Sequence, residues 1–398
     1  MRVLVYKIKD RLSPRGGPLG VCWYLNSEMQ RRGEHTMEFL EADKTYETVH
    51  SVGRSITSHL PDWFNKIHRN IRGARELKGW LEGTPGKTGV NFSDYDVVYF
   101  HETTDMFLAR EDLKDYKGVV VLQSHSPLPW WMEKSSDLPE YYFRTIKDLK
   151  KKMEKVDEYA FRRADYIVLP CPEAEEPYIE AWPAYSQIRR EKEGRYLFMQ
   201  TGINGVCAKR SRKEVREELK VPEDAFLMSY AGRHNSVKGY DRLIEIGSSM
   251  LKRSKDNYIV CAGNLGPIKE PSLPGWTEIG WTTDPHSYIA AADVFILPNK
   301  VTYFDLVMLE VLSLGQIVVA SRTGGNKFFE RNGAEGVFLY DSSEEAVSIL
   351  EKIKAMTAEE RRALGEKNRQ FFSSRLTVET MYDGYLRIMS EIEQRRDG

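Results

Sequence analysis

A chain of 398 residues, 41% hydrophobic and 29% charged, is long enough for two ordinary globular domains. Its 58 basic and 59 acidic side chains nearly cancel, which argues against a general nucleic-acid binder. No apolar run approaches the ~20 residues of a membrane span, and Met1 to Tyr6 enters a strand directly, without the apolar stretch of a signal peptide, so a cytoplasmic location is expected. Cys22, Cys171, Cys207 and Cys261 stand singly in apolar contexts, as buried free thiols do, rather than as a disulfide framework or a metal site.

In chain order, a strand at Val3–Tyr6 is followed by the loop Ser13-Pro-Arg-Gly-Gly-Pro-Leu-Gly20 and a helix from Val21 to Arg32, stopped by Gly33. Glycine here would let backbone N–H groups approach an anion, although such turns are commonly structural. Residues 51–91 are less regular. Within them Trp63, Phe64 and Trp80 interleave with Lys66, Arg69, Arg72, Arg75 and Lys78, the pattern of a helix resting on an anionic membrane surface or of a solvated helix face. Two apolar runs then end on His101 and His125, which a parallel sheet would bring to one rim. A charged helical stretch runs from about Glu140 to Arg163, a strand covers Ala164–Pro170, and a domain junction is expected between Gly202 and Ala208.

The second half repeats the βα rhythm. Phe226–Gly232 reads as a strand, followed by a loop carrying Arg233 and Lys238 and a helix from Tyr240 to Leu251. A guanidinium and an ammonium at a strand's carboxyl end suit phosphate oxygens, the first as a forked donor and the second as a point charge. The strand and turn of Tyr258–Gly266 and the segment Thr277–Trp281 follow. The unit Ile296–Gly325 then reads as a strand ending at Pro298, a polar loop, a short helix from about Leu306 to Leu314, and a second strand from Ile317 to Ser321. Glu310 lies on that helix among apolar neighbours, where a carboxylate is costly unless it reaches solvent, pairs with a cation or meets a ligand. Asp305 fits the N-cap position.

Together, AGR…KG (231–239), AGNLG (262–266), the Gly280-Trp281 pair, AADVFILPN (291–299), LVMLEVLSLG (306–315) and TGG (323–325) resemble the C-terminal domain of GT-B glycosyltransferases of the large retaining family 4. The resemblance implies an α/β chain of two Rossmann-like domains facing each other across a cleft. The first would cover 1–204 on the acceptor side, the second 205–376 on the nucleotide-sugar side, and a C-terminal helix, 377–398, would cross back to the first. It also implies sugar transfer, with retention, from a nucleotide-diphosphate-sugar to a hydroxyl of a glycan, a lipid-linked glycan or another acceptor, in surface polysaccharide or glycoconjugate synthesis.

Carried over residue by residue, Arg233 and Lys238 would hold the donor diphosphate. His125 would line the donor-sugar side, Gly16 and Gly17 would approach phosphates and sugar, and Glu310 would accept from ribose hydroxyls. Residues Glu278 to Trp281 would border the nucleobase, mostly through backbone, and the backbone around Leu306 and Val307 would meet phosphate. No metal or separate cofactor is implied, and the nucleotide-sugar is a co-substrate. Peripheral contact with the inner face of a membrane through 60–80 is compatible with a lipid-linked acceptor. Two departures stand out. Thr302 occupies the place of the family's first glutamate, eight residues before Glu310, and Asp305 sets a negative charge near the proposed diphosphate. They keep open a catalytically inactive GT-B partner subunit; a sugar-nucleotide epimerase of the same fold, which would need no acceptor cleft, is a further alternative.

Overall fold

Short runs of valine, isoleucine, leucine and aromatic residues, nearly continuous rather than alternating, are what strands buried on both faces require. In the computed structural model, which describes residues 1–7, 12–13, 17–40, 62–85 and 89–397, these runs form two six-stranded sheets. The first contains β1 (Val3–Tyr6), β2 (Glu38–Phe39), β3 (Val97–Phe100), β4 (Val119–Gln123), β5 (Tyr166–Leu169) and β6 (Tyr196–Phe198), in the order β2-β1-β3-β4-β5-β6. The second contains β7 (Phe226–Ala231), β8 (Asn257–Ala262), β9 (Trp276–Gly280), β10 (Val294–Leu297), β11 (Val318–Ser321) and β12 (Val337–Tyr340), in the order β12-β11-β10-β7-β8-β9. Every pairing is parallel, with Val3 opposite Val97 in the first sheet and Phe295 opposite Val318 in the second. Helices supply the crossovers.

The chain divides into two compact units, one of residues 1–169, 178–198 and 388–398, the other of 170–177 and 199–387. The expected passage at 204/205 and return at 377 compare with 198/199 and 387/388. The last helix, Val378–Asp397, therefore begins in the second unit and ends in the first.

In the first unit the basic, aromatic stretch expected to present a helix face forms a continuous helix, Asp62–Glu82. Ala74 and Leu81 are buried against Phe107, Leu149 and Met153, with Leu77 packed beside them. The seven-residue spacing of Ala74 and Leu81 keeps one helical face on that cluster. The charged stretch after Glu140 is two helices, Glu140–Thr145 and Leu149–Arg163, separated at Asp148, whose φ of 55° breaks the helical path. Cys207 is exposed, whereas Cys22, Cys171 and Cys261 are buried, and all four are free.

Asp157, on Leu149–Arg163, accepts the backbone N–H of Trp131 at 2.9 Å. Burial pushes its carboxyl up to about 7 despite that bond. Because the folded state binds this proton more tightly than the unfolded chain, the group favours folding most at acid pH. That contribution is lost as the pH rises through 7. Asp157→Asn, which cannot ionise, is expected to gain in melting temperature relative to the natural chain as the pH is raised from 5 to 9, followed by thermal denaturation. A difference that stays flat with pH would remove the buried carboxyl as its cause.

In the second unit the helix Arg212–Leu219 opens with a capping box, in which Ser211 accepts from the Glu214 N–H and Glu214 reaches back to Ser211. Its arginines anchor it to the start of β10. Buried Asp293 accepts from Arg216 and Arg212 and from the Leu227 N–H, each at 2.8 Å. The core around Met228, Tyr240, Leu243, Ile246, Ile296, Val319 and Leu350 covers one face of this sheet.

Candidate functional site

In the second sheet β7 leads outward to β8 and β9, whereas β10 leads the other way to β11 and β12. The loops leaving β7 and β10 therefore diverge at a topological switch point, where open α/β sheets hold ligands. The β7 loop, Arg233–Gly239, is locked to the end of β10. Gly239 has φ +65°, and a Cβ there would lie 1.8 Å from the Pro298 carbonyl oxygen, so both conformation and space demand glycine. The Lys300 N–H donates to the Val237 carbonyl at 3.0 Å, and the Lys238 N–H is taken by the Asn235 side chain at 2.8 Å.

Across this junction Lys238 Nζ meets Asp305 at 2.5 Å, and Asn299 Nδ2 donates to the same carboxylate oxygen at 2.6 Å. Burial alone would raise the Asp305 carboxyl, but the Lys238 charge and these hydrogen bonds outweigh it and hold the group below its ordinary range. It is ionised at neutral pH, and its stabilising contribution is lost as the pH falls through the folded value. Asp305 stands at the N-cap position of Leu306–Ser313 without a side-chain cap hydrogen bond. Asp305 thus holds the expected N-cap position, while its carboxylate is engaged by lysine and asparagine. Arg233 is exposed and has no ion pair among the described residues.

The remaining expected residues of this unit surround the same sheet edge. Glu310 is about one-third exposed, with Oε2 3.3 Å from His286 Nε2. His286 was not anticipated; it lies in the first turn of Pro285–Ala291, and the only sequence sign of it is the helix start at Asp284-Pro285. Thr302 is 2% exposed. A Cβ on Gly324 would meet its carbonyl oxygen at 2.1 Å, and one on Gly325 would meet that of Tyr303 at 1.9 Å, so the TGG turn backs this loop closely. Phe304 packs on Phe328 and Phe329, each with ring centroids 5.4 Å away. The segment that replaces a glycine-rich turn is thus pinned by aromatic packing. Leu306 and Val307 are half-buried, and Trp281, just past β9, is exposed.

A second unanticipated group lies beneath Arg233. His234 is fully buried and stacked on Tyr240, centroids 3.8 Å apart and planes 6° apart. Its Nε2 is 3.4 Å from Glu278, which also accepts from Tyr240 and, at 2.7 Å, from Trp276 Nε1. Burial lowers the His234 pKa although Glu278 opposes the shift. The Tyr230 hydroxyl donates to the Arg233 carbonyl at 3.0 Å. Buried aromatic rings and one carboxylate therefore fix the backbone that carries the exposed guanidinium.

In the first unit the switch point lies between β1 and β3. Gly16 lies outside the described residues. Gly17 is exposed, with φ +81°, and precedes the helix Pro18–Arg32, which has no side-chain cap. Lys7, buried at the end of β1, bonds Glu102 at 2.6 Å and Asp105 at 3.2 Å. His101 and His125 meet as their strands imply, with His101 Nδ1 2.8 Å from His125 Nε2. Burial lowers both pKa values, that of His125 to about 3, and the Lys7 charge adds to the shift, so both rings are neutral at physiological pH. The triplet Asp94-Tyr95-Asp96 lies at the opposite, amino end of β3. There Asp96 accepts from the Arg2 N–H at 2.8 Å and from Arg396 at 2.9 Å, away from these groups.

Residues 225–358 match the family described as glycosyl transferases, group 1. The lipopolysaccharide core biosynthesis glycosyltransferase LpsE of Rhizobium meliloti is 25% identical over 275 residues, 65% of this chain and 74% of that protein. Other curated relatives are matched over about half or a third of their length. Among solved structures, sucrose-phosphate synthase of Thermosynechococcus elongatus has a TM-score of 0.62 at 16% identity, over 99% of both chains. HepE of Anabaena, in complex with UDP-glucose, has a TM-score of 0.59 at 15% identity, over 98% of this chain and 100% of that one. With two parallel six-stranded sheets the chain has the GT-B fold, and the part of it that builds the second sheet carries the group 1 glycosyltransferase match.

Proposed function

We propose that this glycosyltransferase moves a sugar, with retention, from a nucleoside-diphosphate-sugar to a hydroxyl of a surface glycan or lipid-linked glycan. The observation that carries this reading is the pair of basic residues at the β7/β10 switch point, where Arg233 has no ion pair among the described residues and Lys238 is engaged by Asp305. The charge that develops in such a transfer is on the leaving diphosphate, so preformed cations lower the barrier more than they strengthen ground-state binding. Glu310, about one-third exposed beside His286, is suited to accept from ribose hydroxyls, and the exposed Trp281 borders the base. HepE was solved with UDP-glucose and LpsE is named for lipopolysaccharide core synthesis, which supports a sugar nucleotide as donor and a surface glycan as acceptor.

A thermal-shift screen against UDP-, GDP-, ADP-, TDP- and CDP-sugars tests the donor site. A ligand at a hundred times its Kd stabilises the folded state by about 2.7 kcal/mol. One nucleotide-sugar is expected to raise the melting temperature of the natural chain but not of Arg233→Ala or Glu310→Ala. If none does, the second reading, an inactive partner subunit, takes precedence. The observation in its favour is that Thr302 is buried and Asp305 engages one of the two cations.

Among the described residues no helix is long and apolar enough to cross a membrane. The helix Asp62–Glu82 nevertheless exposes Lys66, Ile67, Arg69, Arg72, Arg75 and Lys78, and each basic residue near an anionic leaflet is worth about 1 kcal/mol. We place peripheral membrane contact on this helix. Cosedimentation with phosphatidylglycerol vesicles is expected, with little on phosphatidylcholine, and charge reversal at Lys66, Arg69 and Arg72 should abolish it.

A further inference from the structure

Two neutral imidazoles joined by one hydrogen bond have two arrangements. In the first, His101 donates from Nδ1 to Nε2 of His125, which then carries its own proton on Nδ1. In the second, His125 donates from Nε2, and His101 carries its proton on Nε2. The planes of the two rings are 8° apart with centroids 5.1 Å apart, and the bonded nitrogens are 2.8 Å apart. This is an edge-to-edge contact in a shared plane, with the N–H of one ring pointing along the lone pair of the other.

The surroundings separate the arrangements. His101 is 1% exposed, and its Nε2 has no hydrogen-bond partner among the described residues. The second arrangement would bury an N–H without an acceptor, and orphaned buried donors are the rarest unsatisfied groups in folded proteins. The first leaves only a bare lone pair there. Other polar groups near the pair are the Lys7 ammonium at the end of β1, the Glu102 and Asp105 carboxylates that hold it, and the Tyr99 ring, tilted 32° to His101. The Lys7 charge opposes a third ring proton on the pair.

We infer that His101 is a positioning residue that fixes the tautomer of His125, so that the half-buried His125 offers an Nδ1–H donor rather than a base. The consequence for transfer rests on the proposed place of His125 beside the donor sugar. There it would hold a sugar oxygen by donating to it, and the acceptor's proton would leave by another group, such as the departing diphosphate. The bond from His101 also costs little at the moment of reaction, since the ring is oriented before substrate arrives.

The test is a long-range proton–nitrogen correlation spectrum of the chain labelled with ¹⁵N-histidine, at neutral pH, assigned with His125→Gln and His101→Asn. Both rings are expected to be protonated at Nδ1 and bare at Nε2; protonation of both at Nε2 overturns the inference. His101→Leu should release His125 into a mixture of tautomers, whereas His101→Asn, with an amide N–H near the former Nδ1–H, should hold the Nδ1–H form. A His125 tautomer unchanged in the leucine variant also overturns it. If the leucine variant fails to fold, the natural chain and the asparagine variant decide the question. With UDP-glucose as probe, a shifted His125 Nδ1–H signal supports both readings. The expected tautomers with no response to UDP-glucose sustain the inference and count against the donor-site assignment.

Discussion

Replacing Arg233 by alanine is expected to lower kcat for sugar transfer by about 10²–10³-fold, or about 2.7–4 kcal/mol of barrier, the scale seen when a preorganised donor to a developing anion is removed. The guanidinium is exposed and unpaired among the described residues, so its whole charge is available to a diphosphate. Lys238 differs. Its ammonium already bonds Asp305, and a ligand gains only the difference between phosphate and carboxylate partners. Lys238→Ala should therefore cost less than Arg233→Ala, and Asp305→Asn, which frees the ammonium, should tighten nucleotide binding. Steady-state kinetics with the donor found by thermal shift, beside circular dichroism to confirm folding, checks the order. A larger loss from Lys238→Ala would mean that Asp305 yields the lysine to the ligand.

Asp293→Ala is expected to produce the largest loss of stability. Asp293 is the counter-charge of Arg216, whose side chain is only 3% exposed, and it also satisfies Arg212 and the Leu227 N–H. Removing one partner of a buried pair leaves an uncompensated charge and costs about 3–5 kcal/mol. Arg216 keeps the carbonyls of Pro222 and Ala225 as acceptors, which places the expectation toward the lower end. The corresponding fall in melting temperature is about 10 °C. Asp293→Asn keeps an acceptor oxygen and should fall between. Differential scanning calorimetry checks both, and an alanine variant as stable as the natural chain would show that Arg216 does not depend on this carboxylate.

The parallel sheets were legible because strands buried on both faces leave unbroken apolar runs, and Val97–Phe100, Phe226–Ala231 and Val294–Leu297 need no partner sequence to be recognised. The switch-point loops were legible for a related reason: glycine at 239 and the TGG turn at 323–325 mark close backbone approaches. What the chain did not announce depended on groups distant in sequence. Helix 62–82 was legible as a basic helix, but the partners of its apolar face, Phe107 and Met153, were not. Asp305 satisfied a local capping rule, but a long-range lysine and an asparagine claimed its carboxylate. The partners of Glu278 and of Glu310 were likewise invisible, since neither His234 nor His286 has a periodic or motif context pointing across the sheet.

The shared helix at 378–397 has a consequence for how the protein is made. Its last residues belong to the first unit, where Glu393 lies 3.7 Å from the amino group of Met1 and Arg396 reaches Asp96. A chain emerging from the ribosome exposes all six strands of the first sheet long before residues 388–397 exist, and residues 199–387, most of the second unit, are synthesised in between. Domains ordinarily complete folding in the order of synthesis. Here the unit that begins first also takes in residues 388–397, so its packing is completed only after residues 199–387 have been made.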